Sequence, residues 1–263
     1  MTQVRGGWLS AAQRRHTRAE GAFFGYERIG ESEKTARVIR HFDSVAGVYD
    51  FMNTLLSFGI HHAWKRAAVR MLAPAPGERV LDVCGGTGDL AILAARRTGP
   101  GGSVVVYDIN RAMISAGLPK LRGTPLAGRV RHVQGDAERI SFPDRSFDAA
   151  MVGFGIRNVT RVQQGFNEMC RVLRPGGRML CLEFSRPVWP AFRWLYDMYS
   201  FHVMPLLGEV LAGSRQAYTH LPESIRTFPL PEELAGMLRA AGFTRVDYRR
   251  FTNGIAVAHL AVK

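Results

Sequence analysis

Three carboxylates in the middle of the chain follow predicted strands, each where a loop can hold a ligand. Asp82 stands in VLDVCGGTGDLAILAARR (80–97), between Leu81 and Val83 of an otherwise apolar strand that runs into a glycine turn and a helix. Asp108 ends the next strand, SVVVYD (103–108), twenty positions after Gly88. Asp136, followed by Ala137 in QGDAERISFPDRSFD (134–148), lies just past a third. Gly86-Thr87-Gly88 with Ala91 fits GxGxxA, the glycine pattern whose turn cradles a dinucleotide pyrophosphate, and Asp108 would then hold a ribose. A nicotinamide-dependent dehydrogenase is one reading.

Asp82 argues against it. A pyrophosphate in that turn would face a carboxylate of like charge. S-adenosylmethionine suits the site better, having an ammonium, a sulfonium, a ribose and an adenine but no phosphate. Asp82 then serves the ammonium, directly or through water. The backbone of Gly85, Gly86, Thr87 and Gly88 approaches the methionine part, Asp108 takes both ribose hydroxyls, and Asp136 accepts from the adenine amino group. The blander reading has Asp82 capping a local turn.

These residues need a scaffold that brings several strand ends together. After Pro74, Pro76 and Gly77, the pattern alternates: strand 79–84, helix 88–98, strand 103–108, a helix from Arg111 and strand 129–134. Strand 146–154, helix 160–173, RPGG as a turn and strand 178–184 continue it. Such alternation predicts an α/β fold with a parallel sheet covered on both faces. A helix over 231–243 and a hairpin about Asn253-Gly254 make the last strand antiparallel. Ahead of the sheet, residues 1–30 read as an irregular, flexible extension. A helical cap spans 31–76, broken at SFGIHH (57–62). An aromatic segment at 187–230 interrupts the alternation, and 31–263 form one domain.

The net charge of +13 points to an anionic partner, although arginine supplies most of it. Cys84, Cys170 and Cys181 lack metal-binding or redox spacing and read as packing residues of a reducing compartment, with a reactive Cys84 the minor reading. No run reaches the ~18 apolar residues of a membrane-spanning helix, and the N-terminus lacks the apolar core of a secretory signal. No metal shell is predicted, since His61-His62 are adjacent and poorly placed to chelate together from a helix.

The acidic residues after three successive strands resemble the class I methyltransferases, which implies a Rossmann-like seven-stranded sheet with an antiparallel last strand. Longer runs are similar to one family, the ubiquinone/menaquinone biosynthesis C-methyltransferases: YDFMNTLLSFGIHHAWKR (49–66), VLDVCGGTGDL (80–90), DINRAM (108–113), GDAERISFPDRSFD (135–148), GFGIRNV (153–159), RVLRPGGRMLCLEFSRP (171–187), YDMYSFHVMPLLG (196–208) and YTHLPESIRTFP (218–229). They cover nearly all of the chain after about residue 23. The resemblance implies methylation of a ring carbon of a polyprenylated quinol (a demethylnaphthoquinol or a methoxy-benzoquinol) by S-adenosylmethionine. It implies cofactor contacts at Thr87, Asp108, Asp136, Ala137 and Gly153. Related chains often carry serine at the last position, so the expected contact there is through the backbone.

A quinol carbon is a good nucleophile only when its neighbouring hydroxyl approaches the phenolate, and a free phenol has a pKa near ~10. Arg157 can stabilise that charge or order a water, and Asn158 can hydrogen-bond a quinol oxygen. Tyr49 is a further hydrogen-bonding candidate from the cap. Against these stand an ion pair holding the loop for Arg157 and a core aromatic for Tyr49. His202 and His220 can each relay a proton or simply pack. The aromatic segment is either core filler or a groove for an isoprenoid tail beside an anionic membrane, with the protein cytoplasmic and peripheral. A homodimer stays open, and no nucleic-acid partner is expected. A methyltransferase of another small molecule or of nucleic acid, and a cofactor-binding scaffold of a quinone-synthesis complex without turnover, remain the rivals.

Overall fold

The computed structural model describes residues 21–263. Residues 1–20, most of the expected flexible extension, lie outside the described residues. Residues 21–30 are not irregular: β1 (Gly21–Phe24) and β2 (Glu27–Gly30) pair as an antiparallel hairpin. Gly25 makes the turn at φ +61°, a conformation glycine adopts without steric cost. Four-residue strands give too short an alternation to be read from sequence.

Three helices follow: α1 (Glu31–Val45), α2 (Tyr49–Leu56) and α3 (Ile60–Leu72). Gly59, in the left-handed region at φ +73°, separates the last two. Then come β3 (Arg79–Val83), α4 (Asp89–Thr98), β4 (Ser103–Asp108), α5 (Arg111–Gly117), β5 (Val130–Gln134), β6 (Phe147–Gly153), α6 (Val162–Val172) and β7 (Leu173–Phe184). The aromatic segment folds as α7 (Pro190–Met198), a π-helical turn, α8 (Met204–Ala212) and α9 (Arg215–Thr227). The chain ends with α10 (Pro231–Ala240), β8 (Arg245–Phe251) and β9 (Ala256–Val262).

Seven strands form one sheet in the order β5-β4-β3-β6-β7-β9-β8, with β9 antiparallel to both its neighbours. The predicted RPGG turn lies inside β7. Phe147 pairs with Leu173 but Ala149 pairs with Arg178, so residues 174–177 are accommodated as a wide bulge, with Gly176 at φ +75°.

Strand alternation decides which way Asp82 points. Leu81 and Val83 join the core beneath α6 and α10, with Phe166, Met169, Leu234 and Leu238. Val80 faces the opposite layer, where Trp64, Ala68 and Leu72 of α3 and Leu90, Ala91 and Ala94 of α4 cover the sheet. Asp82 is in register with Val106 and Met151 of that second face. Thus α3 belongs to the sheet's covering layer, although the sequence placed it in the cap. The remaining cap helices pack on the aromatic segment instead: Val45, Met52 and Leu56 meet Met204, Ala217 and Tyr218 in a separate small core. This core roofs the C-terminal ends of the strands.

Candidate active site

Between roof and strand ends lies a cavity of about 800 Å³, near the upper end of small-molecule pockets, which run to about 1,000 Å³. It opens where the strand order reverses around β3, the usual ligand position in a parallel α/β sheet. Four loops form its floor, after β3, β4, β5 and β6.

The loop after β3 turns through left-handed backbone at Cys84 (φ +51°), Gly86 (φ +53°) and Gly88 (φ +79°). A β-carbon on Gly85 would stand 2.9 Å from both the Asp82 carbonyl and Val106 Cγ1. Gly85, Gly86 and Thr87 line the cavity, whereas Gly88 is not among its lining residues and caps α4. Cys84 lines it too, but burial pushes its thiol well above the ordinary range. It stays a protonated packing group.

Asp82 is 1% exposed. Its Oδ2 accepts from the Ala91 N–H of α4 at 3.0 Å, while Oδ1 is buried without a partner. The capping reading holds for Oδ2, and Oδ1 is left over. Burial, opposed by the Ala91 bond, pushes its pKa from 3.8 up to about 8. Asp82 is among the residues that line the cavity.

Asp108 holds the second loop. Its Oδ2 accepts from Gly86 N–H and its Oδ1 from Asn110 N–H, both at 2.8 Å. Each oxygen keeps a lone pair for a ligand hydroxyl. Asp136 and Ala137 border the cavity from the third loop, with Asp136 Oδ1 accepting from Glu138 N–H at 2.9 Å. Gly153 borders it from the fourth, where a β-carbon would come within 2.4 Å of Leu90 Cδ1.

Arg157 and Asn158 occupy a short 3-10 turn after β6. Arg157 Nη1 donates to Glu183 Oε1 and to the Phe154 carbonyl, both at 2.6 Å, and Nε donates to Ser224 Oγ at 3.3 Å. Its guanidinium lies over the Phe184 ring, 5.3 Å from the centroid. Nη2 makes no hydrogen bond among the described residues, and the side chain lines the cavity. The ion-pair reading therefore holds for Nη1, with Nη2 left over at the cavity. Asn158 Nδ2 is buried without a partner at the same wall. Tyr49 enters from the roof, its phenol kept protonated by burial.

The histidines separate. His202 is exposed and outside the cavity, which removes it as a relay there. His220 lines the cavity, stacked on Phe24 with centroids 3.9 Å apart, and His41 stands 5.3 Å from it. Sequence reasoning missed His41, Glu183, Lys65 and Lys120. Glu183 carried a usable signal, since it is a carboxylate in the apolar strand MLCLEF, as Asp82 is in VLDV.

The donor set fits S-adenosylmethionine. The cavity offers an orphaned acidic oxygen, a second carboxylate after the next strand, glycine backbone close by and, among the described residues, no cluster of cations that a pyrophosphate would need. The model of the ubiE/COQ5 methyltransferase family matches residues 30–263. The chain belongs to that family. It is 45% identical over 255 residues to the ubiquinone/menaquinone biosynthesis C-methyltransferase UbiE of Stutzerimonas stutzeri, covering 97% of this chain and all of that one. It is also 45% identical to the enzyme of the same name from Idiomarina loihiensis, over 93% of this chain and 97% of that one. Among solved structures, a SAM-dependent methyltransferase from Thermotoga maritima matches with TM-score 0.60 at 17% identity, over 86% of this chain and 99% of that one. A SAM-dependent methyltransferase from Aquifex aeolicus matches with TM-score 0.53 at 17% identity, over 75% and 88%. At such identities these two speak for the Rossmann-like fold of this family member. The sheet order agrees.

Proposed function

We propose that the cavity seats S-adenosylmethionine on the loops after β3, β4 and β5, and a polyprenylated quinol between Arg157 and the roof. Membership of the family makes the chain an S-adenosylmethionine-dependent C-methyltransferase of ubiquinone and menaquinone biosynthesis. The observation that carries the residue roles is the pairing of an orphaned Asp82 oxygen with a guanidinium that has one donor group left over.

When bound, the cofactor supplies an electrophilic methyl on sulfur. Asp82 holds its ammonium, Asp108 its ribose, and Asp136 with Ala137 its adenine. Arg157, anchored by Glu183, keeps Nη2 for the quinol oxygen and favours its phenolate, which enriches the adjoining ring carbon; the phenol proton, and the ring proton lost on substitution, pass to water. Asn158 Nδ2 donates to an oxygen of the same ring, and Tyr49 packs and hydrogen-bonds from above. The roof keeps water from the reacting carbon.

No helix among the described residues is long and apolar enough to cross a membrane. In this reading the tail leaves between Phe58 and Leu195, cavity residues that are 85% and 57% exposed. The protein then works on the cytoplasmic side, at the surface of an anionic bilayer. The test uses labelled S-adenosylmethionine with a reduced short-tail demethylnaphthoquinol and, separately, a methoxy-benzoquinol lacking the ring methyl. Mass spectrometry should find the label on a ring carbon. Cofactor binding without transfer to either quinol would sink the proposal.

A further inference from the structure

The roof rests on the site loops through a few polar ties. Helix α1 reaches two loops: Asn110 Nδ2 donates to Asp43 Oδ1 at 2.9 Å, and Lys34 Nζ donates to the Val159 carbonyl at 3.0 Å. Helix α2 reaches the glycine loop through Asp50. Its Oδ1 accepts from Thr87 Oγ1 at 2.8 Å, and its Oδ2 lies 2.5 Å from Lys120 Nζ.

Lys120 completes the tie. It sits in the 3-10 turn after α5 and also donates to Thr87 Oγ1 at 2.8 Å and to Asp89 Oδ1 at 2.6 Å. Asp89, at the start of α4, accepts from Lys65 Nζ of α3 at 2.8 Å. The Thr87 backbone is clamped as well, since a β-carbon on Gly117 would meet its carbonyl oxygen at 2.7 Å. Thr87 is 5% exposed, and every polar side-chain atom of this cluster has a partner.

Thr87 is thus held from both sides, by the roof and by the α5 turn, while its neighbours Gly85 and Gly86 present backbone to the cavity. Asp50 is adjacent to Tyr49, which enters the cavity from the same helical turn. One carboxylate therefore ties the cofactor loop to the roof helix that carries Tyr49. Asp50 does not cap α2: that helix has no side-chain cap, and Asp50 spends its oxygens on the loop and Lys120.

We propose that Asp50 and Lys120 are positioning residues, a clasp that couples the cofactor seat on the glycine loop to the quinol side of the cavity through α2. The proposal rests on the reading of the cavity as a seat for S-adenosylmethionine. A cofactor that fixes Thr87 and its neighbouring glycines also fixes Asp50, and with it the helix that places Tyr49. By linkage, firm packing of α2 must strengthen cofactor binding by the same factor. Removing either partner should leave the fold standing, because α2 keeps its apolar contacts through Met52 and Leu56.

The test measures S-adenosylhomocysteine affinity by calorimetry and backbone hydrogen exchange over residues 49–56, in wild type, Asp50→Asn, Lys120→Met and the double variant. In the wild type the ligand should slow exchange across α2. Each single variant should lose about tenfold in affinity, within the ordinary range of couplings between sites, and Asp50→Asn should lose the ligand-induced protection of α2. The double variant should be no worse than the weaker single one. Asp43→Asn, which loosens α1 instead, should keep the α2 response. Losses that add in the double variant, or unchanged α2 protection in Asp50→Asn, overturn the clasp. Should the variants fail to fold, wild-type exchange decides: ligand binding that leaves α2 unaltered overturns it too. Absence of any S-adenosylhomocysteine binding to wild type would instead strike at the cofactor reading itself.

Discussion

Arg157 and Glu183 form an ion pair at the cavity wall, with side chains only 8% and 2% exposed and Nη1 2.6 Å from Oε1. Glu183 is the last residue but one of β7, and Arg157 is the middle residue of the turn after the neighbouring strand β6. The pair therefore locks two strand ends together. Glu183 Oε1 also accepts from the Phe184 N–H at 2.9 Å and Oε2 from the Arg157 N–H at 3.4 Å, so both carboxylate oxygens are engaged within the protein. What remains available to a ligand is the far side of the guanidinium.

Two substitutions separate the structural from the chemical share of this pair. Glu183→Gln leaves a buried guanidinium without its counter-charge, and should lower stability by about 3–5 kcal/mol. Arg157→Lys keeps a charge but loses the fork that serves Glu183, Phe154 and the cavity at once. It should reduce kcat by about 10²-fold, the usual loss of one preorganised electrostatic donor, with cofactor affinity little changed. Thermal melts and steady-state kinetics with the quinol check both. An equal loss of cofactor binding in Arg157→Lys would move that residue out of the quinol site.

Asp82 should make cofactor affinity depend on pH. Its pKa of about 8 in the folded protein lies above the ordinary 3.8. The native state therefore holds a proton that the unfolded chain gives up between those values, and stability falls as pH rises through this window. A ligand ammonium favours the ionised form, so affinity should climb from pH 6 to pH 8 with release of a proton. Asp82→Asn should abolish that release and weaken binding sharply, while raising the melting temperature of the free protein at pH 8 by about 2–4 °C. Calorimetry in two buffers of different ionisation enthalpy reads the proton directly.

Much of this site could be read from the chain because each acidic residue broke an apolar strand, ended one or followed one. Asp82 and Asp108 announce themselves that way, Asp136 stands just past a strand, and a cluster of glycines marks the turn after the first. Glu183 breaks its strand in the same manner, but its partner Arg157 lies 26 positions away, so no local spacing links the two. The Asp50–Lys120 tie left no local trace, since it joins a cap helix to a turn across the glycine loop. Nor could periodicity tell that α3 covers the sheet while α2 roofs the cavity: both are amphipathic helices. The RPGG segment carries turn residues, and only the pairing of β6 with β7 shows that it is a bulge.

His41 and His220 should make the fold sensitive to mild acid. Burial holds His41 at about 4 and His220 at about 3, below the ordinary 6.5. Arg157 opposes protonation of both, and Lys34 and His41 add to it for His220. Phe24 covers His220 without offering a charge. The unfolded chain binds these protons first, so their contribution is complete above pH 6.5 and is lost as pH falls towards 4. Each group adds up to about 1.4 kcal/mol per pH unit in that window. Denaturant melts between pH 7 and 4.5 should show a shallower decline for His41→Gln than for wild type. Parallel curves would mean that the imidazole already titrates near its ordinary value.

The exposed apolar side chains of α7 and α8 should direct the protein to lipid. Trp194 (67%), Val210 (71%) and Leu206 (52%) stand in water on these helices, and Trp189 (70%) precedes α7. Large apolar side chains exposed in such number on two successive helices suit an interaction surface, and tryptophan suits the boundary between headgroup and acyl chain. The net charge of +13 adds attraction to anionic lipid. Sedimentation with phosphatidylglycerol vesicles should recover wild-type protein at low salt and less of it at high salt. The pair Trp189→Ser and Trp194→Ser should cut that recovery several-fold. It should also slow transfer to a long-tailed quinol in vesicles while leaving transfer to a short-tailed, detergent-dispersed quinol intact. If the pair lowers both transfers equally, the tryptophans shape the site rather than the approach to it. If it instead converts a homodimer to a monomer in light scattering and leaves vesicle binding unchanged, the face belongs to a second copy of the chain.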